Sequence, residues 1–338
     1  MSRIAAPAVL DRARTIVTPA LRAAVARLSP ELRLPAEYHL GWVDLDGRPA
    51  TGSGGKHVRA ALALLSAAAV GADERVGVPG AVAIELVHNF SLLHDDVIDV
   101  DRERRHRTTV WAAFGVGPAI TVGDALHTLA IQVLLEPGTP EAVRAVSALA
   151  DGTSRMIAGE TVDIVFETRD DVTWDECLEM SSAKTGALLA CAAELGAILA
   201  GAPAARVASL GAYGLHLGLA FQAVDDVLGI WGETATTGKP VFGDLRQQKK
   251  TLPITAALAR ANGNLAELRS LLEASRDDEA AAARAADLIE KFGGRQATEE
   301  AAAEHLGAAL TALRAAQPVP AVEAELAELA QYVVERQQ

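Results

Sequence analysis

The run VASLGAYGLHLGLAFQAV, residues 207–224, holds no lysine, arginine or carboxylate and ends directly on Asp225 and Asp226. Its length approaches that of a membrane span, but it is rich in Gly and Ala and stops at paired acids. A helix apolar on every side belongs in the middle of a soluble bundle, where small residues let neighbours approach closely. Burying such a helix takes other helices, and the composition favours them. Half of the 338 residues are hydrophobic, aromatics make up only 4%, and Ala is abundant while β-branched residues are thinly spread. That mixture favours helix over sheet and excludes a disordered chain.

Helical patterns are expected over 10–28, 56–71, 79–97, 121–135, 138–168, 174–200 and 203–231. Two polar stretches punctuated by Pro and Gly, 34–55 and 231–253, read as long loops. From 252 onward the sequence is rich in Ala, Glu, Leu and Arg, with breaks near Asn262-Gly263, Gly293-Gly294 and Pro318–Pro320. No repeat of fixed period and no sustained strand alternation is present. The reading is a single all-α domain over 1–338, a large helical bundle. Residues 1–50 supply an N-terminal helix and loop, and 255–338 supply scaffold helices.

The formal net charge of −13 argues against a nucleic-acid partner, which needs a basic footprint. There is no polybasic anchor, and no stable membrane insertion is expected. Cys177 and Cys191 show no CxxC spacing and read as buried thiols in a reducing compartment. The N-terminus lacks an apolar signal core, so a cytoplasmic location is expected.

The chemistry concentrates at the ends of apolar helices. In SLLHDDVIDVDRERRHR, residues 91–107, Asp95 and Asp99 are four apart and share a helix face, with Asp96 beside them. Solvated acids paired to the following arginines would be the plain explanation of this cluster alone. The second cluster, Asp225-Asp226, shifts the balance. Oxygen-only groups without His or Cys suit a hard divalent ion, and Mg2+ takes its shell from a few carboxylates, waters and substrate phosphates. Two such walls could hold a diphosphate between them through several Mg2+ ions.

Basic residues supply the anion's other contacts. Lys56 and Arg59 lie in a Gly-rich turn entering a helix, where backbone N–H groups also favour anions. Arg104 and Arg105 offer bidentate phosphate contacts. Lys184-Thr185 sits between apolar segments, and Lys239 and Lys249 follow the second acids. A flexible loop, a salt-bridged rim, a snorkelling lysine and a solvated charge run are their plain alternatives. The whole set points to a site for two anions. His88 falls two turns before Asp95, close to the same face, as a core histidine or an anion contact. Gln222 would be costly to bury unpaired and should bond backbone or ligand.

These residues resemble the trans-isoprenyl diphosphate synthases over roughly residues 50–255. GGKHVR resembles the family's GGKxxRP, and HDDVID with RRHR resembles DDxxD with its arginine pair. KTG at 184–186, FQAVDDVLG at 221–229 and GKPVFGDLRQQKKTLP at 238–253 resemble the later motifs in order. The resemblance implies a bundle around a deep central cavity and head-to-tail condensation of isopentenyl diphosphate with an allylic diphosphate. It also implies three Mg2+ per active site with substrate bound, and a homodimer. Carried residue by residue, Asp95, Asp96, Asp99, Asp225 and Asp226 would coordinate Mg2+ on the allylic diphosphate. Arg104, Lys184 and Lys239 would touch its phosphates. Lys56, Arg59, His88 and Arg105 would hold isopentenyl diphosphate, with Lys249 a further substrate contact. Thr185 and Gln222 would flank the reacting end.

The chain departs from the family pattern at His57, Ala60, Glu160 and Gly229, where Arg, Pro, Gln and Asp are usual. Gly229 is expected to leave Asp225 and Asp226 with fewer water-mediated metal contacts. A terpene cyclase-like enzyme and a weakly active subunit of a heteromeric prenyltransferase are the rival readings. For product length, the resemblance gives Phe90, five before the first acid, a blocking role that helical spacing does not. Small Ser91 leaves the first turn open. With no insertion in DDVID, the pattern looks most like geranylgeranyl diphosphate formation, with farnesyl diphosphate the close alternative.

Overall fold

The computed structural model describes residues 6–50, 55, 57–232 and 241–335. The first ten α-helices are α1 (Ala8–Val25), α2 (Pro30–His39), α3 (Val58–Ala69), α4 (Val78–Ile98), α5 (Val110–Phe114), α6 (Val116–Leu135), α7 (Pro140–Phe166), α8 (Trp174–Ser181), α9 (Ala187–Leu199) and α10 (Ala204–Trp231). After the second polar interruption come α11 (Gly243–Arg246), α12 (Leu252–Arg260), α13 (Leu265–Ala274), α14 (Glu279–Lys291), α15 (Gly294–Ala315) and α16 (Pro320–Glu335).

The uncharged run lies in α10, which packs on α9, α15 and α16. It is mostly buried, as its lack of charge favours, with Ala208 exposed near its start: Leu210, Tyr213, Leu217, Leu219, Ala220 and Val224 are all inside. Tyr213 satisfies its hydroxyl by donating to Leu326 O at 2.8 Å. Gly218 lets α10 pass against the backbone of Gly186, which a methyl group there would approach to 2.7 Å. Around α10, the helices α3, α4 and α9 close one large core through Leu62, Leu65, Ile84, Leu86 and Leu195. A smaller core between α12, α13 and α14 is built from Ile254, Leu268, Ala285 and Ile289. The expected breaks in this tail coincide with its helix boundaries.

Four helical stretches are apolar and long enough, by composition, to cross a membrane. Three bury 61–67% of that window inside the bundle, while the α6 window buries 44%. Cys177 and Cys191 are buried free thiols, pushed above the usual thiol range by that burial.

Two expectations need correction, and one short element was not anticipated. Residues 34–39 are not loop but the second half of α2, which starts with Pro30 in its first turn and buries Pro35, Ala36 and Tyr38. Residues 103–108 form a short antiparallel hairpin, Glu103–Arg104 against Arg107–Thr108. Its turn places Arg105 and His106 at φ 53° and 60°, the positive φ at both central positions that a tight hairpin with the native twist requires. The helix expected over 174–200 is continuous, but a π-turn at Ser182–Gly186 interrupts its α geometry.

Candidate active site

The first acid wall closes α4. Asp95 is partly buried, Asp96 is 1% exposed, and Asp99 caps the helix in solvent, its N–H donating to Asp95 O at 2.8 Å. Asp96 Oδ1 accepts from Arg104 Nε at 2.6 Å, so the hairpin's first arginine is locked to the wall. Asp96 Oδ2 is buried without a hydrogen-bond partner. Burial raises the carboxyls of Asp95 and Asp96, and Glu160 nearby pushes Asp95 further, up to about 7. Such groups are short of positive charge.

The second wall belongs to α10. Asp226, 3% exposed, accepts from Gln222 Nε2 at 2.8 Å and from the Leu252 N–H at 3.0 Å. Gln222 Oε1 in turn accepts from Thr185 Oγ1 at 2.8 Å. Gln222 therefore bonds side chains on both sides, where backbone or ligand was expected, and this chain joins the π-turn to the second wall. Burial, then Asp244, raises Asp226 to about 7.

Asp244 stands beside Gly229. It is 6% exposed in the first turn of α11, and a methyl group at Gly229 would overlap its carboxylate. The space that a side chain at 229 would take is already filled by an acid from the following loop. Gly229 leaves no gap.

The π-turn sets Lys184 opposite the acids. Its Nζ lies 2.7 Å from Glu160 Oε2 and 2.5 Å from Asp163 Oδ2. Irregular helical turns of this kind recur at functional sites because they push side chains out of the regular spiral.

Arg59, His88 and Arg105 converge with His57, Leu189 and Phe221 on a cavity of about 580 Å³, whose lining does not include Arg104, Lys184 or Lys249. Arg105 reaches from the hairpin tip to the Gly-rich turn: a methyl at Gly55 would come within 3.2 Å of its guanidinium. His57 enters α3 in the left-handed conformation, φ 53°. Beneath these cations lies Glu85, 5% exposed, accepting from the Ala60 N–H at 3.2 Å, with His57 Nδ1 3.6 Å away. Burial pulls Arg59, Arg105 and His88 below their ordinary values, with neighbouring arginines adding to it at Arg105 and His88. At pH 7 His88 is neutral, able to donate one hydrogen bond and accept another. Glu85 was missed in sequence, although a lone acid inside AVAIELVHNF is a signal in itself.

Lys56 and Lys239 lie outside the described residues. Lys249 is near the second wall through its backbone, its N–H donating to Asp244 O at 3.0 Å. On the opposite side of α4, Phe90 is 9% exposed, its ring 4.8 Å from that of His94 and 5.3 Å from that of His127 on α6. Ser91 is half-buried and donates to His88 O at 2.9 Å.

Among the described residues, no three His, Cys, Asp or Glu side chains converge on one point as a metal cage does. The walls nevertheless fit Mg2+, which binds through a few carboxylates and a ligand's phosphates and keeps several waters. The unpartnered buried oxygen of Asp96 and the raised carboxyls of Asp95 and Asp226 are the groups a divalent ion would satisfy.

The family model described as polyprenyl synthetase matches residues 47–289. The (2E,6E)-farnesyl diphosphate synthase of Mycobacterium tuberculosis is 47% identical over 97% of this chain and 93% of its own. The geranylgeranyl diphosphate synthase of the same organism is 43% identical over 98% and 94%. The crystal structure of polyprenyl synthetase from Streptomyces coelicolor A3(2) superposes with a TM-score of 0.92 at 51% identity, covering 97% of this chain and 99% of that one. With its all-helical bundle and this breadth of match, the chain belongs to the polyprenyl synthetase family.

Proposed function

We propose that the protein is a Mg2+-dependent trans-prenyltransferase that joins isopentenyl diphosphate head to tail with an allylic diphosphate, forming geranylgeranyl or farnesyl diphosphate. Members of the family are Mg2+-dependent. One observation carries the reading: a basic cavity suited to one diphosphate has its Arg59 and Arg105 within electrostatic reach of Asp225 and Asp96, on the two carboxylate walls suited to a second, metal-bound one.

In this reading Asp95, Asp99, Asp225 and Asp226 hold the metal ions, three with substrate bound, and the free oxygen of Asp96 adds to their shell. The ions would neutralise charge on the allylic diphosphate as its C–O bond breaks and the leaving group takes the electron pair. Lys184 and Lys239 contact the same phosphates, and Arg104 is kept in place by Asp96. Lys56, Arg59, His88 and Arg105 grip isopentenyl diphosphate, assisted by Lys249. Thr185 and Gln222 flank the reacting carbon, and the apolar helices exclude water from the cation. The isopentenyl double bond attacks that carbon, and the proton lost in restoring a double bond goes to the released diphosphate. No amino-acid nucleophile is required. The whole chain works as one isoprenoid synthase domain. We assign it to the cytoplasm because three of its four long apolar helical stretches lie mostly inside the bundle.

The decisive assay incubates the protein with isopentenyl diphosphate and dimethylallyl, geranyl or farnesyl diphosphate, with and without Mg2+. Elongated diphosphates only with Mg2+ are expected; no product from any primer overturns the reading. We further propose a homodimer joined through the apolar faces of α6 and α7, where Ile120, Leu135, Val143, Ile157 and Val165 are exposed. Light scattering should give about twice the 35.2 kDa chain mass. Product length rests on Phe90 and Ser91: Phe90→Ala should lengthen the product and Ser91→Phe shorten it. Chromatography of the dephosphorylated alcohols reads both, and unchanged lengths would assign the stop to another helix.

A further inference from the structure

Lys184 is held at both ends. Its backbone lies in the π-turn, pressed so closely on α7 that a methyl group at Gly159 would overlap Lys184 N. Its ammonium meets Glu160 at 2.7 Å and Asp163 at 2.5 Å, acids three residues apart on one face of α7. All three side chains are largely shielded, at 27%, 15% and 25% exposure. An ammonium has three protons, and two acceptors on one side leave one for a ligand. We infer that Glu160 is a positioning residue for Lys184: with Asp163 it fixes the ammonium so that the remaining N–H faces the allylic diphosphate. The inference rests on the reading of Lys184 as a phosphate contact.

Charge bears on the same point. Burial acts to lower the Lys184 pKa, but Asp163 and Glu160 outweigh it and the amine stays charged. Glutamine, the usual residue at position 160, would offer the same kind of acceptor oxygen without charge. Lys184, Glu160 and Asp163 together carry one negative charge, where glutamine would leave them neutral.

The test compares Glu160→Ala and Glu160→Gln in steady-state kinetics and in calorimetric titration with geranyl diphosphate in Mg2+. Glu160→Ala should raise the allylic KM and Kd about tenfold, the size of one charge-assisted hydrogen bond, with the KM for isopentenyl diphosphate within about twofold. Glu160→Gln, keeping an acceptor at the same reach, should stay within about threefold of the parent. In a Lys184→Ala background the further Glu160→Ala change should have no effect on geranyl diphosphate binding, because it acts through the lysine. An unchanged allylic Kd in Glu160→Ala overturns the inference, as does an equal loss for both substrates. A glutamine variant as impaired as the alanine one also overturns it, pointing to charge or direct metal contact. A parent protein that binds geranyl diphosphate yet makes no product would overturn the proposed function and leave the positioning measurable. One that does not bind it overturns both.

Discussion

The two acid walls are built differently. The first is local: Asp95, Asp96 and Asp99 fall within one helical turn at the end of α4, and Asp99 stands in solvent. The second is assembled from distant parts of the chain. Asp226 is tied to Gln222 and to the first residue of α12, while Asp244 comes from α11 to fill the space beside Gly229. An acid on a helix end without such ties, as Asp95 is, can be altered with little structural consequence, whereas one that joins distant segments, as Asp226 does, cannot. The difference separates chemistry from support, and substitutions can read it.

The largest effects should come from neutralising single acids. Asp95→Asn and Asp226→Asn are each expected to lower kcat by about a hundredfold or more, the scale of losing one group that stabilises developing charge. Their melting temperatures should diverge. Among the described residues the Asp95 carboxylate has no hydrogen bond or ion pair to lose, and neutralising a partly buried acid removes a cost. Asp226 accepts with both oxygens, and Asn retains only one acceptor, leaving a donor unmet at about 1–3 kcal/mol. Equal melting temperatures, by calorimetry without metal, would erase the distinction between the walls.

A second prediction exchanges the acids of the second wall. Gly229→Asp puts a side chain where the Asp244 carboxylate already is, and should destabilise by about 1–3 kcal/mol, as overpacking does. Removing the occupant with Asp244→Ala in the same chain should recover most of that loss. Urea unfolding of the two single variants and the double variant gives the coupling. Additive losses would mean that the two side chains do not compete for one space.

That exchange also marks where sequence reading stopped. The acids at 95, 96, 99, 225 and 226 were legible because spacing on one helix is a local property, as were the apolar runs that carry them. That Arg59, His88 and Arg105 line one cavity needed the fold, since they come from α3, α4 and the hairpin. That Asp244 fills the space beside Gly229 was not legible, because it lies fifteen positions on, across a loop whose course no periodicity encodes. The end of α2 was missed because Pro35 signals a break locally, while burial of Ala36 and Tyr38 holds the helix. The hairpin at 103–108 has two-residue strands, too short for alternation to register. Departure of Glu160 from the family pattern was visible, but its pairing with Lys184 needs the packing of α7 on the π-turn.

The smallest effect, and the most direct electrostatic comparison, is the pH dependence of stability without divalent ions. Asp95 and Asp226 both have folded pKa values raised to about 7 by burial, above the ordinary value of 3.8. Between those values the folded protein binds protons that the unfolded chain has released, so stability is greatest in acid and falls as pH rises through about 7. For a carboxyl that titrates near 7 when folded, the loss between pH 6 and 8 is on the order of 1 kcal/mol. The buried histidines act in another window. His39 is lowered to about 3 by burial and by Arg104, and His88 is lowered by burial and Arg59. The unfolded chain then binds the extra protons, so these groups weaken the fold only as pH drops below about 6.5. Between about pH 4 and 6 the two contributions nearly cancel, so the metal-free protein should lose stability chiefly as pH rises from about 6 through 7. Asp226→Asn and Asp95→Asn should each flatten the fall toward alkaline pH and leave the histidine-linked loss toward acid less opposed. Mg2+ with inorganic diphosphate should flatten that fall too, since a cation at the walls favours the ionised carboxylates. Thermal unfolding from pH 5 to 8.5 in chelator, with and without both ligands, measures this. An alkaline slope that persists in both variants would place the titrating group away from the walls.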